Sequence, residues 1–253
     1  MRRVLVTGAS RGIGRAVATA FAARGDRVAV HFGTREDDAR ATLAALPGTG
    51  HVLIGGDLSR PDAARAIVSG AVAHLGGVDV LVNNAAVAPG PENRHAVAEV
   101  GFDAWQRAWR TMTEVDLLAP ADLTYHVARH LIERGAGGAV VNIGSRGAFR
   151  GEPDHPAYGA AKAALHAFGQ SMALALAPHD IAVSSVAPGF VATERQADRI
   201  AGPDGEALRA QSPFGRVGTP EEVAAAVLYL ASPEARWASG TVLDLNGASH
   251  LRT

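Results

Sequence analysis

Seven short apolar runs, separated by longer stretches with helical spacing, constrain this chain more than any other feature. The runs cover residues 3–7, 27–32, 51–54, 78–82, 139–143, 181–187 and 241–245; they are rich in Val and show little polar alternation. A strand with one face in water alternates apolar and polar residues. A run that does not alternate is buried on both faces, as strands of a parallel sheet are. Helical patterns fill the gaps at 13–23, 36–46, 61–75, 102–134, 156–177 and 221–231. Pro47-Gly48 ends the second pattern, and Pro61 stands in the first turn of the third. The fourth is one long helix or two stacked ones interrupted near Pro120.

This alternation predicts an α/β fold: a Rossmann-type, doubly wound parallel sheet with helices on both faces. No linker, repeat or low-complexity tract divides the chain, so residues 1–253 are expected to form one domain. Two stretches, 88–100 and 194–219, carry no periodic pattern. The second is rich in Gly, Pro and charge and reads as a lid over a substrate site.

The chain has 253 residues, 47% of them hydrophobic, enough to bury the core of a large α/β domain. Its net charge of −1 shows no basic excess, which argues against a nucleic-acid partner. No apolar run reaches the roughly 18 residues of a membrane span, and the apolar run at the N-terminus stops at Gly8, too early for a secretory leader. A cytoplasmic location is expected. With no cysteine there are no disulfides or thiolate sites, and the histidines show no metal-ligand spacing, so no metal is expected.

One compositional fact is sharper. Of 24 basic residues, 23 are Arg and one, Lys162, is Lys. In a chain that otherwise uses Arg throughout, a position that keeps Lys marks one where the planar guanidinium does not serve. Lys162 falls four residues after Tyr158, one of three tyrosines, and residues i and i+4 share a helix face.

The first apolar run leads directly into Thr7-Gly8-Ala9-Ser10-Arg11-Gly12-Ile13-Gly14 and then a helical pattern. Glycines between a first strand and a first helix let the backbone approach a pyrophosphate lying at the helix N-terminus. A tight turn also uses glycine; the position in the first crevice of the sheet favours a dinucleotide.

The set Gly8-Ala-Ser-Arg-Gly12-Ile-Gly14, Asn83-Asn84-Ala85, Ser145, Tyr158-Gly-Ala-Ala-Lys162 and Pro188-Gly189 with Thr193 resembles the short-chain dehydrogenase/reductase family, in the family's order and over nearly the whole chain. The pattern is most similar to that of the 3-oxoacyl-[acyl-carrier-protein] reductases. The resemblance implies a nicotinamide cofactor contacted by Gly8, Ser10, Arg11, Gly12, Ile13, Gly14, Thr34, Arg35, Asp57, Leu58, Asn84, Ala85, Tyr158, Lys162, Pro188, Gly189, Val191 and Thr193. An NAD enzyme usually ends its second strand with an acidic residue that binds the ribose hydroxyls. Here that position is Phe32, followed by Gly33-Thr34-Arg35. A hydroxyl and a guanidinium suit a 2′-phosphate, and Arg11 can reach it from the glycine loop, so NADP(H) is expected. Arg35 also reads as a solvated residue at a helix start. Asp57 either accepts from the adenine amino group, as in the family, or caps the helix expected near Pro61.

The resemblance also implies that Ser145, Tyr158 and Lys162 are catalytic, with Tyr158 exchanging a proton with the substrate oxygen. A tyrosine titrates near 10. An ammonium about 4 Å away contributes on the order of 4 kcal/mol at an effective dielectric of 20, enough to bring it near 7 before burial opposes the effect. The sequence departs from the family twice. Ala86 replaces a usual Gly, and Asp116 stands where the family has an Asn whose backbone carbonyl, freed at a helix irregularity, holds a water near the lysine. Asp116 joins the catalytic set as a residue acting through its backbone, with a carboxylate able to pair with Lys162.

Arg146, Arg150 and His155 lie between Ser145 and Tyr158, where an anionic or polar substrate would be met; ordinary loop charges give the same pattern. The basic residue for carrier-protein docking falls on Leu174, which leaves 3-oxoacyl thioester, ketone or sugar-like substrates all open. The expected protein is an oxidoreductase acting on a small carbonyl or alcohol, and a homodimer or homotetramer. A non-catalytic dinucleotide sensor on the same fold is the alternative.

Overall fold

The computed structural model describes residues 1–252. Seven strands form one parallel sheet: β1 (Arg3–Val6), β2 (Arg27–Phe32), β3 (Val52–Gly55), β4 (Val80–Asn83), β5 (Gly138–Ile143), β6 (Ile181–Pro188) and β7 (Val242–Leu245), in the order β3-β2-β1-β4-β5-β6-β7. Every neighbouring pair is parallel. Val4 registers with Val28 on one side and Val80 on the other, and both faces of these inner strands are buried, which is why their runs show little polar alternation. The helices α1 (Gly12–Ala23), α2 (Glu36–Ala45), α3 (Ala63–Leu75), α4 (Phe102–Thr113), α5 (Ala119–Glu133), α6 (Gly147–Arg150), α7 (Pro156–Leu176), α8 (Ala197–Ala201), α9 (Gly205–Ala210) and α10 (Pro220–Leu230) complete the chain. Phe21 of α1 and Val227 of α10 pack in the core on one face of the sheet, and Ile67 of α3 and Leu123 of α5 on the other. This is the doubly wound arrangement.

Three expectations shift. The helix expected from Pro61 begins at Ala63. Asp57 accepts from the Ser59 backbone and hydroxyl instead, and the Ala63 N–H closes a turn onto Arg60 O, so Pro61 sits in that turn and Asp57 caps no helix. The stretch 102–134 does not break at Pro120: α4 runs into α5 through a π-helical turn, Glu114–Leu118. The segment 194–219 is not irregular throughout, since it holds α8 and α9. Its base is closed by a short ladder in which Ala192 N–H donates to Gly218 O and Gly218 N–H to Phe190 O.

Candidate active site

The strand order reverses between β1 and β4, and both strands end at the same crevice, the usual ligand position in such sheets. Two buried clamps build it. Thr7 Oγ1 accepts from the backbone N–H groups of Asn84 and Ala85. Asn84 Nδ2 donates to Thr7 O at 2.8 Å and to Gly8 O at 3.0 Å. The Asn84 amide therefore holds the glycine loop to β4. The glycines are required by space as well as conformation. Gly8 lies at φ +62° with Ala85 Cα 2.9 Å from where a Cβ would be, and a Cβ on Gly14 would meet Gly8 O at 2.2 Å and Asn84 Nδ2 at 2.5 Å. Ser10 is buried, its carbonyl taking bonds from Arg15 and Thr42. Ile13 packs into the core below the loop. Ala86, the departure from the usual Gly, is exposed and crowds none of this.

Ser145, Tyr158 and Lys162 come together where β5 ends against α7. The Ser145 hydroxyl lies near enough to the Tyr158 phenol to lower it and accepts from Gly147 N–H at 3.0 Å. Lys162 is 2% exposed; its ammonium donates to Ile143 O at 3.1 Å and lies 5.7 Å from the centre of the Tyr158 ring. The electrostatics correct the expectation that Lys162 alone brings Tyr158 near 7. Tyr158 is half-buried. Burial, and after it the negative charge of Asp116, holds Tyr158 above its ordinary value, against the effect of the Ser145 hydroxyl. Burial also lowers Lys162, which Asp116 opposes.

Asp116 occupies the π-helical turn, and the sequence explains the turn. Pro120 has no N–H to give to the carbonyl four residues earlier, which is that of Asp116. Instead Ala119 N–H bonds to Glu114 O, five residues back. The Asp116 side chain is fully buried; Oδ1 accepts from Val87 N–H at 2.7 Å and Oδ2 has no partner. Burial pushes its carboxyl up to about 6, against the pull of Lys162 and the Val87 N–H.

The remaining predicted positions follow the C-terminal ends of β2, β3 and β6 or lie in the glycine loop. Thr34 and Arg35 are exposed after β2, with Arg35 3.5 Å from Asp38. Arg11 is lowered by burial first and then by the neighbouring positive charges of Arg35 and Arg195, so three guanidinium groups converge there. Asp57 is exposed and Leu58 is buried, leaving only the Leu58 backbone for a ligand. Gly189 N–H donates to Leu245 O, and Pro188 O accepts from Arg146 N–H. Val191 is buried, and the Thr193 methyl lies against Gly12.

With this geometry in place, comparison with known proteins is informative. A family profile described as Enoyl-(Acyl carrier protein) reductase matches residues 8–250. The chain belongs to the short-chain dehydrogenase/reductase family. It is 33% identical over 253 residues to the L-rhamnose 1-dehydrogenase (NAD(P)(+)) of Sphingomonas sp. (strain SKA58), covering 99% of this chain and 96% of that one. It is 34% identical over 249 residues to the 3-oxoacyl-[acyl-carrier-protein] reductase of Vibrio cholerae serotype O1, covering 98% and 96%. The solved structure of the angucycline C-6 ketoreductase LanV with bound NADP superposes with a TM-score of 0.84 at 30% identity, covering 96% of this chain and 93% of that one. This family member is thus an oxidoreductase on a Rossmann-type fold, and among its described residues no helix is long and apolar enough to cross a membrane.

Several residues at the crevice gave no sequence signal. Glu194 Oε2 accepts from Gly12 N–H at 3.0 Å, and Oε1 pairs with Arg15 at 3.2 Å, which puts a carboxylate on the N-terminus of α1. Arg195 bridges to Ala88 O and Glu92. Both contacts join residues more than 100 apart, beyond any local pattern. His166 follows Lys162 by four on the same face of α7; it is buried, with both ring nitrogens unpartnered, and burial holds it down at about 4. That i+4 spacing was the available signal. His155 turns from the site, its Nε2 against Gly90 O.

Proposed function

We propose that this protein is an NADP(H)-dependent enzyme that interconverts a carbonyl and a secondary alcohol, with Tyr158 as general acid and base. The observation that carries the reading is the convergence of Ser145, Tyr158 and the single lysine at the end of β5.

The crevice fits a dinucleotide phosphate. Gly8 and Gly14 let the loop pack closely on Ala85 and Asn84 and so present its backbone at the N-terminus of α1, and Arg11 and Arg35 mutually repel where a 2′-phosphate would relieve them. Ser10, Ile13, Asp57, Leu58, Asn84, Ala85, Pro188, Gly189, Val191 and Thr193 complete the binding set in this reading. Bound there, NADPH supplies the hydride for reduction and NADP+ accepts it in oxidation. Tyr158 gives its phenolic proton to the carbonyl oxygen, and Ser145 donates a hydrogen bond to the same oxygen and fixes its position. Lys162, anchored by Ile143 O, stabilises the tyrosinate left behind. Since burial and Asp116 hold Tyr158 up, the protein by itself favours the protonated phenol, the form that reduction needs. In oxidation the proton moves the other way.

A lid over residues 194–219, a single domain and a cytoplasmic site of action belong to the same reading. So does a homodimer or homotetramer, supported by Leu118, Tyr125 and Leu174, which stand exposed on the outer surface around α5 and α7. NADPH consumption measured against ketones, 3-oxoacyl thioesters and sugars tests the activity. Tyr158→Phe is expected to lose turnover by at least about a hundredfold while retaining NADPH affinity. Full activity in that variant defeats the role given to Tyr158, and binding of NADPH with turnover of no carbonyl defeats the reading in favour of a sensor.

A further inference from the structure

A cavity of about 500 Å³ lies among the second half of the segment 194–219, α10 and the end of β7, walled by Phe190, Leu208, Phe214, Val217, Val223 and Leu245 with Ser212 and Ser249 among them. None of Ser145, Tyr158 or Lys162 lines it. The charged residues in its wall, Arg216 and Glu222, already pair with each other.

One buried charge next to it is not paired. Arg146 directly follows Ser145, is 6% exposed, and its guanidinium touches two residues of the cavity wall. It donates to the Ser249 hydroxyl and lies over the Phe190 ring at 5.8 Å. Its other hydrogen-bond partner is the amide oxygen of Gln211, to which Arg150 also points at 3.5 Å. Both partners are neutral. Among the described residues no carboxylate forms an ion pair with Arg146. Glu152, the acid that acts on it through space, has its carboxylate packed over Gly147, and the nearer effects of burial and Arg150 lower Arg146 from its ordinary value. Arg199 covers the Phe190 ring as well, at 5.1 Å. Buried charges are normally neutralised by a counter-charge. Arg146, one residue from Ser145 and touching the cavity wall through Ser249 and Phe190, lacks one.

We propose that this cavity and Arg146 hold the non-reacting part of the substrate, and that this part is an apolar body ending in a carboxylate. The inference rests on carbonyl chemistry at Ser145 and Tyr158, and it narrows the substrate to a carbonyl or alcohol compound bearing an acid group. Arg146 is the specificity-determining residue, because the guanidinium presents paired donors to a carboxylate.

The test compares medium-chain oxo acids with their methyl esters. KM for the acid is expected to lie at least about tenfold below that for the ester. Arg146→Gln should bring the two KM values together. Gln211→Glu, nearly isosteric, puts a carboxylate beside Arg146 and should do the same while keeping the packing, which separates lost recognition from lost folding. Simple alkanoic acids of matching length should inhibit competitively against the oxo acid and raise the melting temperature of the wild-type protein but not of Gln211→Glu. Equal KM values for acid and ester in the wild type, unaltered preference in both variants, or non-competitive inhibition by alkanoic acids overturns the inference. If esters are reduced and acids are not, the inference falls and the carbonyl reductase reading stands. If nothing is reduced, that reading falls, and the melting-temperature comparison alone decides whether Arg146 receives a carboxylate.

Discussion

The two ends of the crevice are built from different materials. At the β1–β4 end, geometry does the work: glycine backbone at positive φ, a threonine hydroxyl and an asparagine amide whose bonds are all internal. At the β5–α7 end, charge does it. Lys162 and Asp116 are buried ionisable groups beside a half-buried Tyr158, and Asp116 Oδ2 and both His166 nitrogens lack partners. A site made of backbone tolerates no added atom but is indifferent to charge. A site made of buried charge tolerates small changes of shape but responds to every change of charge or pH.

Substitutions can break each end on its own terms. Gly14→Ala has the largest expected effect, because its Cβ has no room between Gly8 O and the Asn84 amide. It should destabilise the fold by about 1–3 kcal/mol and abolish NADPH binding. Gly101→Ala meets nothing within 4 Å and should change stability by no more than about 0.5 kcal/mol in urea unfolding. Similar melting of the two variants contradicts the geometric account.

Next in size is the rim where the two materials meet. Replacing Arg11 and Arg35 together with Gln should lower kcat/KM for NADPH roughly ten- to a hundredfold, the loss expected for charge-assisted phosphate contacts, and leave NADH little changed. Equal or better turnover of NADH by the unaltered enzyme contradicts the NADP(H) assignment itself.

Asp116→Asn is smaller and more diagnostic. The amide oxygen of Asn can still accept from Val87 N–H, so the turn should stay intact while the charge is lost. Asp116 titrates at about 6 and is therefore ionised at neutral pH, where its charge holds Tyr158 up. Removing that charge lowers Tyr158, so the pH profile for alcohol oxidation should move to lower pH by about one unit. A shift to higher pH, or none, means that the Asp116 carboxylate does not act on Tyr158.

The same contrast explains what the sequence made legible. The backbone-built end depends on neighbours in the chain, so its glycines and Asn84 could be read directly, as could the strands and the long α7, which differ from expectation by one or two residues at their ends. Pro120 was visible as an interruption, and the resemblance placed a helix irregularity at Asp116, but neither said that it would be a π-helical turn carrying α4 into α5 without a break. The charge balance at Tyr158 depends on depths and distances that no spacing encodes, and it came out opposite to the expected sign. Glu194 on Gly12, and Gln211 and Ser249 on Arg146, join residues far apart in sequence. They became visible only in the folded chain, where Glu194 meets Gly12 and Gln211 and Ser249 meet Arg146.

Lys162→Arg tests the central claim most directly, because the protein uses Arg at every other basic position. The substitution keeps the positive charge and changes its shape, size and ability to lose a proton. Measured with NADPH and a reducible carbonyl, kcat is expected to fall by at least about a hundredfold, the usual scale of acid–base assistance, with a cooperative melt retained. Turnover within a fewfold of the unaltered enzyme would contradict the assignment of chemistry to Tyr158 and its one lysine.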